Sequence, residues 1–260
     1  MVGTATLAIY LFVSAPPPLR EESSDQRTIP VQTLLEICDH ENAIVRKMYT
    51  KEIVGPGRAA GLAFDEGWRD DDVQAGPLPA LFVRETARSL ERSPIRLSLF
   101  LGSLYPIQEA NGFSGVQLAK FKRMLVDREP RHFFVEDTAL HTAMFPDPAV
   151  TQACVSCHNE HEDSPKNDWE LGDVMGAVTW AYPKEQVSLE EAMQAVSALR
   201  QAFRDVYSAY VKEARAFDSP PSIGELWPAE GYAIPSADTF MREAAERASA
   251  GTMERLLEAS

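Results

Sequence analysis

Cysteine is nearly absent from this chain, with three in 260 residues, at positions 38, 154 and 157. That is too few for a disulfide framework in a protein of this size. Cationic residues are also scarce: 25 Lys and Arg stand against 39 Asp and Glu, giving a formal charge of −14 and a pI near 4.8. Phosphate backbones are bound by clustered Lys and Arg, so nucleic acid is excluded as a partner. The acidic residues form no long run and read as a solvated surface. Internal repeats and low-complexity segments are missing too. The apolar run at 4–15 (TATLAIYLFVSA) has only 12 residues, too short to span a bilayer unaided. It has the length of a signal-peptide core, yet no Lys or Arg precedes it.

What is present is ordinary globular material, 45% apolar and 25% charged, enough for one cored domain with an extension. Pro16 to Pro18 and the polar residues 19–26 read as a linker. From Pro30 to about residue 53, Val31, Leu34, Leu35, Cys38, Asn42, Val45 and Tyr49 fall within about 60° of one helical direction. Cys38 lies at the middle of that stripe, and His40 points nearly the opposite way. Gly55-Pro56-Gly57 is expected to break the helix. A second helix is expected at 79–92 and a third at 116–126. Strands are expected at 95–101, 131–136, 139–145 and 174–182. Pro146-Asp147-Pro148 is expected to start a short helix, and 188–216 a long one capped by Ser188. After a proline-rich loop at 220–235, two short helical pieces should follow. The expected class is α+β, with a central antiparallel sheet, flanking helices and a helical C-terminal extension. The expected divisions are 1–27 (signal or membrane anchor plus linker), 28–185 (the domain) and 186–260 (the extension).

The chemistry is carried by Ala153-Cys154-Val155-Ser156-Cys157-His158. Cys-x-x-Cys-His is the attachment pattern for c-type haem. Two thiols three residues apart on a helical turn reach two vinyl groups along one porphyrin edge, and the next residue places an imidazole at the iron. A redox-active dithiol would be expected at a helix start near a βαβ pattern, which is not visible. A structural zinc site needs four ligands, which Cys38, Cys154, Cys157 and either His158 or His161 could supply. Haem c is the preferred reading, one group per chain. Thioether attachment takes place outside the energised membrane, so the protein is expected to be exported and periplasmic. A haem enzyme ranks low, since no distal acid–base pair can be picked out.

The iron ligand opposite His158 separates the functional readings. Methionine raises the potential and suits electron transfer. A thiolate donates density to ferric iron and suits sensing or ligand switching. Candidates are Cys38, Met48, His132, His141, Met144, His161 and Met175. Cys38 is preferred because it sits on the buried stripe and is otherwise an unpaired cysteine in an exported protein.

The segment CVSCHNEHEDSP (154–165), continuing through Lys166, Asp168, Trp169, Leu171, Gly172, Asp173, Val174 and Gly176, resembles the signature of the Tll-type haem c domain family. The first helix (LLEICDHENAIVRKMYTKEIVG) and PLPALFVRETA are similar to it as well. The similarity covers roughly residues 30–185. It implies a PAS-like fold, one covalent haem, and a role as a periplasmic redox or small-ligand sensor, alone or as the sensor region of a histidine kinase. It also implies that the first-helix cysteine, here Cys38, coordinates the iron opposite His158. A redox partner or a signalling protein is the expected partner, and a monohaem electron carrier is the alternative role. Lys166, Asp168 and Trp169 are expected to order the loop after the motif by packing and hydrogen bonds, or, for Lys166, by meeting a haem propionate. The residues after 185 contain no kinase or other output-domain motif.

Overall fold

The computed structural model describes residues 27–227, 231 and 233–259, so the apolar run at 4–15 lies outside the described residues. Strand β1 (Thr28–Pro30) runs directly into helix α1 (Val31–Met48). The apolar stripe is the buried face: Leu34, Leu35, Cys38, Asn42, Val45 and Met48 are each at most 1% exposed. Gly55-Pro56-Gly57 does not break the helix there. The chain instead widens into a π-helical stretch at Tyr49–Val54 and re-forms as α2 (Gly55–Ala59), with Pro56 in its first turn. A first-turn proline has no intrahelical bond to lose. The helix ends a few residues later, beside Gly61 at φ 92°.

Short strands β2 (Ala63–Asp65) and β3 (Ala75–Pro77) pair in parallel, and α3 (Pro79–Glu91) follows. The central elements are β4 (Ser98–Gly102), α4 (Gly115–Asp127), β5 (Arg131–Val135), β6 (Leu140–Pro148), α5 (Gln152–Glu160) and β7 (Val174–Tyr182). The chain finishes with β8 (Gln186–Ser188), α6 (Leu189–Arg215), β9 (Ile223–Gly224), β10 (Ile234–Pro235) and α7 (Ala237–Glu258). The fold is α+β, with a four-stranded antiparallel sheet ordered β4–β7–β6–β5.

Strand β7 is buried along its whole length, which explains its unbroken apolar run VMGAVTWAY. Side chains alternate across the sheet. Ala143, Val178, Trp180 and Tyr182 join the main core with α1, while Phe100, Met144 and Ala177 pack with Phe121 and Met124 of α4. Pro146-Asp147-Pro148 belongs to β6 and not to a helix start. Beyond Met144 this strand has lost its β5 partner and pairs with β7 alone, so one edge is free and proline costs no ladder bond.

The residues after 185 form two long helices, and α7 is one continuous helix of 22 residues where two pieces were expected. Leu199, Phe203, Tyr207, Tyr210 and Phe240 belong to the same core cluster as Leu34 and Phe82. Helix α7 covers the polar side of α1, where His40 Nε2 lies 3.2 Å from the Ala248 carbonyl. Gly251 permits that contact, since a Cβ there would stand 2.5 Å from His40 Nε2. Among the described residues no helix is long and apolar enough to cross a membrane.

Candidate functional site

Strand β6 and the start of β7 deliver the Cys-x-x-Cys-His helix to one end of the sheet. Ala149 donates its N–H to Asp173 O (2.8 Å) and accepts from Gly172 N (2.9 Å), which closes the 149–173 excursion at its neck. Helix α5 then starts after Thr151, whose hydroxyl lies 3.3 Å from Cys154 Sγ. Cys154 and Cys157, three apart, share one helix face. Both are free thiols, Cys154 half-buried and Cys157 exposed.

The helix is clamped from behind by Trp169. Asn159 Nδ2 donates to the Trp169 carbonyl (3.0 Å) and the Trp169 N–H donates to Asn159 Oδ1 (2.8 Å). The indole meets the His158 ring edge-on, with centroids 6.5 Å apart. Val155, Trp169 and Met175 form a small apolar cluster against which Cys154 packs. Lys166 lies 4.6 Å over the Trp169 ring and pairs with Asp168, so these three residues do order the loop. Asn159 escaped the sequence reading, because a lone Asn after the motif carries no pattern of its own.

Burial pushes the His158 imidazole below its usual pKa, with Asp147 pulling the other way. The ring is therefore held neutral, the form a metal ligand requires. Its Nδ1 is buried with no hydrogen-bond partner among the described residues. Partial burial raises the Cys157 thiol, Glu66 adds to this, and Arg58 opposes it. The surroundings of the motif are thus α2 with the 58–66 segment on one side, where His161 Nε2 approaches Glu66 at 3.7 Å, and the end of α1 on another. There Arg46 forms a two-bond ion pair with Asp147 (2.9 and 3.1 Å) that keeps it charged despite burial.

Cys38 lies elsewhere. It is fully buried in the main core, and burial, with Glu41 and Asp39 adding to it, pushes its thiol far above the usual value. The structure brings Cys154, Cys157 and His158 together on α5, and places Cys38 on α1 in a different cluster. Of the other ligand candidates, Met48 is in the main core and Met144 on the opposite sheet face. His132 faces Glu36, and His141 packs on Phe134. Met175 and His161 are the two beside the motif. Among the described residues no three His, Cys, Asp or Glu side chains converge to hold a metal ion, so the four-ligand zinc alternative does not assemble.

An antiparallel α+β domain that presents a Cys-x-x-Cys-His helix at one end of its sheet defines the class. The profile described as Tll0287-like matches residues 20–183, and the chain belongs to that family. No match was found among curated proteins or among solved structures.

Proposed function

We propose that this chain is an exported, periplasmic monohaem c-type cytochrome domain that senses redox state or a small ligand. The observation that carries this reading is the arrangement on α5: two free thiols on one helix face, one half-buried and one exposed, followed by an imidazole whose pKa burial lowers, with an unpartnered ring nitrogen. Cys154 and Cys157 would hold the group covalently, and His158 would bind its iron. Bound there, haem would supply reversible one-electron chemistry and a site for small axial ligands. Trp169 and Asn159 fix the helix, so the imidazole keeps its orientation while the group changes state. Cys38 would be the second residue to hold the iron, supported by its free thiol, its place on α1 and the family resemblance. Cys38 lies in the main core, whereas Cys154 packs against a separate apolar cluster.

A second reading has its own observation. Met175 packs in the cluster that Cys154 joins, and a thioether ligand there would make the protein a high-potential electron carrier.

The test is a redox-resolved absorption titration of matured protein, wild type against Cys38→Ala and Met175→Leu. A thiolate-type ferric spectrum and a negative potential, both lost in Cys38→Ala alone, support the sensor reading. An unchanged Cys38→Ala spectrum with a positive potential that collapses in Met175→Leu overturns it in favour of electron transfer. Absence of covalently retained haem in the wild type overturns both.

A further inference from the structure

Trp169 meets His158 edge-on and also lines a cavity of about 220 Å³ whose lining includes no residue of the Cys-x-x-Cys-His motif. Tyr105, Phe121, Leu125 and Val174 supply its apolar and aromatic walls, and Arg128 and Lys166 supply cationic groups. Tyr105 stands edge-on to Trp169 with centroids 6.0 Å apart. Tyr105 and Leu125 are 39% and 37% exposed.

Three features define the ligand chemistry. Trp169 is 6% exposed and its indole N–H is buried with no hydrogen-bond partner among the described residues, a donor left without an acceptor. Arg128, held in left-handed geometry (φ 62°) at the end of α4, forms no ion pair among the described residues. Lys166 is shared with the exposed Asp168. Asp173, the single acidic residue of the lining, is already engaged by the Glu170 N–H at 2.9 Å. One unpaired cation, Arg128, and a second, Lys166, shared only with an exposed carboxylate, stand beside aromatic walls and select a planar anion. The volume is below the ~300–1,000 Å³ usual for drug-sized ligands, so that anion is small.

We infer that this cavity binds a carboxylate, with Arg128 and Lys166 pairing the charge and Trp169 and Tyr105 packing on the body of the molecule. Two sources share this chemistry: a free aromatic acid, or a propionate of the haem in the proposed function. With a free acid, the cavity deepens the sensor reading, because Trp169 both lines the cavity and meets His158.

The probe is benzoate, titrated calorimetrically at fixed ionic strength into the full chain with haem attached, and into a haem-free Cys154→Ala/Cys157→Ala chain. Benzyl alcohol is the neutral control. Binding to both forms, weakened about tenfold or more in R128Q/K166Q and in benzyl alcohol, supports a free-acid site. Binding to the haem-free chain alone, with a shifted haem potential in R128Q/K166Q, supports the carboxylate site and assigns it to the propionate. Benzoate affinity in both forms equal to that of benzyl alcohol, or unchanged in R128Q/K166Q, overturns the inference. Arg128 is exposed and Lys166 half-buried, and the indole N–H resonance of Trp169 gives a second readout. The haem-free arm keeps this result separate from failure of the haem reading itself, which shows as absent covalent haem in the wild type.

Discussion

Arg200 of α6 donates from Nε (2.9 Å) and from its terminal nitrogen to the carboxylate of Glu41, which is 1% exposed in the middle of α1. Thr252 of α7 donates a third bond to the same carboxylate at 2.8 Å. One buried acid on the first helix therefore ties both C-terminal helices to the domain. Removing the cation leaves an uncompensated buried charge, whose cost exceeds the value of the pair itself. Arg200→Met should destabilise the protein by about 3 kcal/mol in urea unfolding, and Glu41→Gln in the same chain should recover part of that. A loss under about 0.5 kcal/mol would mean that water solvates Glu41.

Gly176 sits opposite Asp147 on β6, and a Cβ there would stand 2.5 Å from the Gly102 carbonyl of β4. Backbone cannot yield as a flexible side chain can. Gly176→Ala should cost about 1–3 kcal/mol and spread the sheet at the end that carries α5. The Trp169 indole resonance should move with it, and an unmoved resonance would place the strain elsewhere.

Ser188 Oγ accepts the Glu191 N–H at 3.1 Å, capping α6. Glu191 does not reach back to the cap; its carboxylate accepts from Lys184 Nζ at 2.7 Å and from the Tyr182 hydroxyl. Burial alone would raise the Glu191 pKa, but these bonds outweigh it and hold the group below the usual carboxylate value. A lowered folded-state pKa adds stability that is full above the unfolded value and is lost as pH falls through the folded one. The difference between wild type and Glu191→Gln should therefore be constant at neutral pH and shrink below about pH 4.5, staying within about 1 kcal/mol because the pair is near the surface. Ser188→Ala should cost about 1 kcal/mol at every pH, measured by thermal unfolding.

His158→Met should separate attachment from ligation. If haem is attached through Cys154 and Cys157 as proposed, it should remain on the chain through denaturing electrophoresis while its spectrum changes. Loss of the haem together with the spectrum would show that maturation reads the histidine itself.

Much of this was legible in the residues. Strand β7 is a run of apolar and β-prone residues bounded by Pro183, and α6 announces itself with Ser188 and two acidic residues in its first turn. The class, the buried stripe of α1 and the Cys-x-x-Cys-His helix follow from period, capping and spacing, which are local properties of the chain. The continuation of the first helix through Gly55-Pro56-Gly57 was not legible, because a π-helical stretch depends on what packs against it; here Tyr49 donates its hydroxyl to the Pro77 carbonyl at 2.6 Å. Nor was the single helix α7, whose Gly251 leaves His40 the space a Cβ would need.

The sequence by itself determined that Cys154, Cys157 and His158 share one helical turn, because three-residue spacing places two side chains together whatever surrounds them. Only the tertiary structure decided what stands behind that turn. Trp169, its clamp to Asn159 ten residues before it, the unpartnered His158 nitrogen, the cavity lined by the indole and the placement of Cys38 in a different cluster all arise from packing between separate segments. Such contacts depend on how the sheet and helices close on one another, and no local pattern records them.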